Sequence, residues 1–172
     1  MAVTVDPTAG LTVKAYDLSQ LRVMIAEDDR QMRSILTACL TAFGVTDVQV
    51  CADGKEALGR LWLFPADIVL TDWEMKPMSG IELVHALRDE TTSPRPDIPI
   101  VMITGHTQAE KVLEARDSGV TLFLAKPIAP HALYARLVRI IEEGADAPER
   151  PARTGTPRSW LAHIAGTAGR GR

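Results

Sequence analysis

Four carboxylates, a hydroxyl and an ammonium stand where short apolar runs end. Glu27, Asp28 and Asp29 follow VMIA, Asp72 follows IVLT, Thr104-Gly105-His106 follows IVMI, and Lys126-Pro127 follows TLFLA. Clustered carboxylates repel one another unless a cation sits among them, and hard oxygen donors with open positions suit Mg²⁺. A metal ion, a carboxylate nucleophile, a hydroxyl and a lysine are the parts that phosphoryl transfer to an aspartate requires. The cations offset charge on the equatorial oxygens while the carboxylate attacks in line. Taken singly, a strand-terminal acid is accounted for as well by a helix cap, and a Lys-Pro by a turn. Their joint placement at four strand ends carries the chemistry.

Those residues need a scaffold that brings strand ends together. Five short apolar runs, Val23–Ala26, Val48–Cys51, Ile68–Thr71, Ile100–Ile103 and Thr121–Leu124, read as strands that are apolar throughout rather than alternating. This pattern predicts a parallel sheet covered by helices on both faces, the α/β doubly wound arrangement, whose ligand crevice lies at the carboxyl ends of the strands. The intervening helices are expected at Gln31–Phe43, Lys55–Trp62, Gly80–Arg88, Gln108–Asp117 and Pro130–Glu143, with Gly44 and Gly119 as left-handed caps. Thr91–Pro99, with three prolines, reads as a surface loop.

With 172 residues, one domain and a remainder are expected. At 46% hydrophobic and 24% charged residues, wholesale disorder and fibrous repeats are excluded. A net charge of −3 is too balanced for a nucleic-acid coat or a polybasic membrane binder. Cys39 and Cys51 read as reduced core thiols, and no apolar run nears the ~18 residues that span a bilayer. A cytoplasmic chain without membrane insertion is expected. The division expected is a flexible segment over 1–20, a folded domain over 21–144 and a disordered Arg-rich tail over 145–172, whose composition cannot offset chain entropy. The tail carries +3 and the remainder −6. It contains no helix-turn-helix pattern, so no DNA partner is expected.

The segments AEDDRQMR, LTDWEMKPMSGIEL, VMITGH and LFLAKP, in that order, resemble the receiver domains of two-component response regulators, especially the stand-alone CheY type, over about Leu21–Glu143. The resemblance implies a flavodoxin-like (βα)5 fold with strand order 2-1-3-4-5. It implies Asp72 as phosphoacceptor, Asp28 as a direct Mg²⁺ ligand, Glu27 holding the ion through water, and the Glu74 backbone carbonyl completing the site. Thr104 and Lys126 would bind phosphoryl oxygens, and Lys126-Pro127 would be cis. A sensor histidine kinase or phosphotransferase is the implied partner. Three positions depart from the common pattern: Glu27 stands where aspartate is commonest, the acidic Glu74 follows the acceptor by two residues, and Phe123 occupies an aromatic switch position often filled by tyrosine.

In the tail, PERPARTGTPRSWLAHIAG sets Arg150, Arg153, Arg158 and Trp160 among small residues and prolines. Guanidinium forks bind phosphates and the O6/N7 edge of guanine, and an indole offers a stacking surface. Asp146–Gly166 resembles the Arg-rich extension of the CheY-like cyclic di-GMP effectors, the Cle group. That implies cyclic di-GMP as ligand and the flagellar motor switch protein as partner. One alternative is an ordinary single-domain phosphorelay receiver whose Trp160-Leu161-Ile164 patch docks a protein. Another is a Mg²⁺-dependent phosphatase, disfavoured because the later strand ends supply Thr104 and Lys126 instead of a further acid or base. A non-enzymatic signalling effector is the reading retained.

Overall fold

The computed structural model describes residues 16–105 and 117–145. Five strands, β1 (Arg22–Ala26), β2 (Asp47–Cys51), β3 (Ile68–Asp72), β4 (Ile100–Thr104) and β5 (Leu122–Ala125), form one parallel sheet in the order β2-β1-β3-β4-β5. This is the expected flavodoxin-like arrangement with the expected strand order. Four helices are described: α1 (Arg30–Ala42), α2 (Gly54–Arg60), α3 (Gly80–Arg88) and α4 (Pro130–Ala145). The helix expected over Gln108–Asp117 lies, apart from Asp117, outside the described residues, as do residues 1–15 and nearly all of the tail.

The central strands are apolar on both faces because both faces are covered. Val23, Ile25, Ile68, Leu70, Val101, Ile103, Leu122 and Leu124 point to the layer of α1 and α4, where Leu36, Leu40, Leu133, Leu137 and Ile141 meet them. The alternate residues Met24, Ala26, Val69, Ile100 and Met102 pack with Ala57, Leu83, Val84 and Leu87 of α2 and α3.

Two expectations need correction. β2 is not apolar throughout: DVQVC alternates, and only Cys51 is buried, because β2 is an edge strand with part of its surface toward solvent. The helix expected to reach Trp62 stops at Arg60, and Trp62 and Leu63 are 64% and 84% exposed at the turn into β3. Their hydrophobicity extended the helical pattern without reporting burial. Gly44 and Gly119 do adopt positive φ, 90° and 99°. The 91–99 segment is a loop anchored by buried Ile98. Arg88 also holds it, donating to the Pro96 carbonyl at 2.8 Å and to the Gly119 carbonyl through Nε and Nη2 at 3.0 and 2.8 Å.

At the amino-terminal edge of the sheet, the Arg22 guanidinium grips buried Asp67 through Nε and Nη2 at 3.1 and 3.0 Å, and the Arg22 amide adds a third bond at 2.9 Å. Just before β1, Leu18 is buried, Tyr16 donates to the Glu142 carboxylate on α4, and Thr46 donates to the Ser19 carbonyl. Among the described residues, no helix is long and apolar enough to cross a membrane.

Candidate acidic pocket at the carboxyl edge of the sheet

Parallel register fixes which residues leave the sheet together. Ala26 pairs with Thr71, so the Glu27–Asp29 loop emerges beside Asp72, the last residue of β3. Asp72 pairs with Ile103, and Thr104 with Ala125, which places Thr104 and Lys126 on the next two strand ends. Two backbone bonds lace this rim: Trp73 N–H to the Ile103 carbonyl at 3.1 Å, and Lys126 N–H to the Thr104 carbonyl at 2.8 Å. Asp72 and Thr104 are strand-terminal residues, one position deeper than the apolar runs implied.

Glu27, Asp28 and Asp72 each place a carboxylate oxygen within 4.8 Å of the others. Glu27 and Asp72 are buried, whereas Asp28 is exposed. The Lys126 ammonium lies 2.9 Å from Asp72 Oδ1 and 3.4 Å from Glu27 Oε2. Burial alone would lower its proton affinity, but the hydrogen bonds and charges of Asp72 and Glu27 outweigh this and raise it above the ordinary lysine value. Burial pushes the Glu27 carboxyl up, as does the charge of Asp72, against the Asp29 N–H and Lys126. Thr104 is buried at the same rim.

The donor set fits Mg²⁺. Three carboxylates against one lysine leave two negative charges in excess, and oxygen is the ligand this ion takes. Asp29 serves the helix instead, its carboxylate accepting from Met32 N–H at 2.7 Å and capping α1. Glu74 is exposed, and its side chain stands outside the three-carboxylate cluster. The Lys126–Pro127 bond is cis, as expected, and so is Lys76–Pro77. Phe123 is half-buried against the α2/α3 layer. Arg150, Arg153, Arg158 and Trp160 lie outside the described residues.

Two participants escaped the sequence reading. Gly80, at the start of α3, lies so close to β3 that an added Cβ would sit 2.0 Å from the Asp72 carbonyl oxygen. Arg33, on the first turn of α1, donates from Nη1 to the carbonyls of Glu27 and Asp28 at 2.7 and 2.9 Å. A glycine before an amphipathic helix and an arginine near its start are both common, so neither carried a distinguishing signal.

Residues 23–138 match the model of the response regulator receiver domain. The chain belongs to this family. The receiver is 31% identical over 123 residues to the chemotaxis protein CheY of Pseudomonas aeruginosa, covering 71% of the chain and 97% of that protein. It is 33% identical over 123 residues to the chemotaxis protein CheY-3 of Vibrio cholerae, covering 71% of the chain and 92% of that protein. Its structure aligns with that of the Vibrio cholerae chemotaxis response regulator CheY4 at a TM-score of 0.64 and 32% identity, over 70% of this chain and 98% of that one. It is thus a CheY-like receiver of two-component signalling, and receivers bind Mg²⁺ at an acidic pocket of the kind Glu27, Asp28 and Asp72 make.

Proposed function

We propose that this receiver accepts a phosphoryl group on Asp72 from a sensor histidine kinase or phosphotransferase, and that its Arg-rich tail binds cyclic di-GMP to act at the flagellar motor switch. The observation that carries the first part is the Lys126 ammonium 2.9 Å from Asp72 Oδ1 within the acid cluster. Asp72 is the nucleophile. Lys126 holds it at the strand end and meets the incoming phosphoryl oxygens, while the Thr104 hydroxyl receives another oxygen at the neighbouring strand end. Asp28, Glu27 and the Glu74 carbonyl would hold Mg²⁺, Asp28 directly and Glu27 through water. When bound there, Mg²⁺ would supply positive charge against the phosphoryl oxygens.

The test uses a small phosphodonor with Mg²⁺. Wild-type chain is expected to gain one acyl phosphate, Asp72→Asn none, and Asp28→Ala to bind Mg²⁺ more weakly. Labelling of Asp72→Asn at another strand-end acid overturns the assignment, and multiple turnovers favour a phosphatase instead.

For the tail, support comes from its composition and from chemotaxis proteins among the relatives. Arg153 and Arg158 clamp guanine edges or phosphates, Arg150 adds charge, and Trp160 stacks on a base. Phosphates find little attraction on the remainder of the chain, which carries −6. Division into residues 1–20, 21–144 and 145–172, in a cytoplasmic protein, belongs to the same reading. Arg→Ala at 153 or 158 removes a charged fork worth about 1.5–3 kcal/mol, so affinity falls by roughly ten- to a hundredfold in a calorimetric titration. If neither full chain nor tail peptide binds cyclic di-GMP at micromolar concentration, the tail instead docks a protein and the chain is an ordinary single-domain receiver.

A further inference from the structure

The loop that carries the acids is tied down at many of its polar atoms, and one residue does much of the tying. Glu27 Oε1 accepts from Asp29 N–H at 3.1 Å and Glu27 Oε2 from Lys126 at 3.4 Å. The Asp29 carboxylate accepts from Met32 N–H, and the Asp29 carbonyl from Arg33 N–H at 3.0 Å. The Arg33 guanidinium then reaches back over this turn, and its Nη1 bonds the two successive carbonyls of Glu27 and Asp28. With those carbonyls fixed, the peptide planes on either side of Asp28 are fixed too, and its exposed carboxylate is directed into the cluster.

We infer that Arg33 is a positioning residue for the Mg²⁺ site, a clamp on the β1–α1 loop that sets where the Asp28 carboxylate stands. The inference rests on reading the Glu27/Asp28/Asp72 cluster as a Mg²⁺ site. Charge and geometry make opposite demands, and this gives the inference its sign. As a bare positive charge beside a cation site, Arg33 repels the ion, and its removal would tighten binding. As a clamp it pre-organises the ligand, and its removal weakens binding, as loss of supporting contacts around metal ligands does. Lysine keeps the charge and three donors on a flexible stem, so it recovers part of the clamp.

The experiment is a Mg²⁺ titration of the unphosphorylated full chain, read by the backbone amide resonances of Asp28 and Asp29, with metal-free melting curves alongside. Arg33→Ala is expected to lower Mg²⁺ affinity about tenfold, and Arg33→Lys to restore much of it, both with metal-free melting like the wild type. If the alanine variant melts early, Arg33→Gln replaces it with the same expectation. Arg33→Ala or Arg33→Gln binding Mg²⁺ as tightly as wild type, or more tightly, overturns the inference. A wild-type chain that takes up no Mg²⁺ overturns the metal reading, and the inference with it.

Discussion

The Arg22–Asp67 pair is the buried charge farthest in role from the acidic pocket, and its energetics follow from what surrounds each partner. Asp67 keeps only 1% of its side chain exposed and Arg22 21%. Burial raises the Asp67 carboxyl above its ordinary value, while the hydrogen bonds and charge of Arg22, with the charge of Arg95, pull against it. Removing one partner of a buried pair typically costs about 3–5 kcal/mol, because the other charge is left without compensation. Arg22→Met keeps the apolar stem and removes the fork, so Asp67 rises further. A folded-state value above the unfolded one means that the native state holds the proton longer. Stability attributable to this group is therefore present in acid and lost as pH rises through the folded value. Urea unfolding of Arg22→Met is expected to show a small deficit near pH 4 and the full deficit near pH 7. A deficit independent of pH would sink this account. At this scale the acids of the pocket were legible, because several carboxylates set just after apolar strands repel one another and so point to a cation. Asp29 stands in the same run of acids, and its role as a cap depends on the Met32 amide. The Arg33 clamp was illegible because donation to carbonyls leaves no mark in residue type.

The elements that seat the pocket are constrained most where α3 meets β3. Ser79 caps α3 and shares a reciprocal bond pair with Glu82, and Gly80 N–H donates to the Trp73 carbonyl at 2.9 Å. A side chain at position 80 would collide with backbone, the Asp72 carbonyl at 2.0 Å, and backbone cannot step aside as a flexible side chain would. Gly80→Ala is expected to destabilise by about 1–3 kcal/mol, the usual range for overpacking. It should also slow phosphodonor labelling, because the displaced carbonyl belongs to Asp72. Gly59 in α2 has nothing within 4 Å of an added Cβ, so Gly59→Ala should stabilise by about 0.4–1 kcal/mol. Denaturant midpoints that move in the same direction for both would contradict this steric assignment. The central strands were readable because burial on both faces forces continuous apolar sequence. The end of α2 and the half-exposed β2 were not, since a run such as LWL has the same composition whether packed or facing solvent.

Across the whole molecule, α4 joins the two ends of the sheet. It starts at Pro130, four residues after Lys126, and runs 16 residues to Ala145, about 24 Å at helical rise. Near its far end Glu142 meets Tyr16, which leads into the amino-terminal edge of β1. The last described residue, Ala145, therefore lies at the pole opposite Asp72. On the proposed function, the phosphoryl group and the nucleotide engage different residues, Asp72 and the arginines of the tail, and their binding free energies are expected to add. Linkage between them would require a conformational equilibrium that both shift. Asp72→Asn should leave cyclic di-GMP affinity nearly unchanged, and the nucleotide should leave the rate of phosphodonor labelling nearly unchanged. A thermodynamic cycle on the two sites reads this directly, and a coupling of tenfold or more, about 1.4 kcal/mol, would mean that the two sites communicate. On the proposed function, near-additivity would make the motor's input a sum rather than a gate: either signal could reach it while the other is silent.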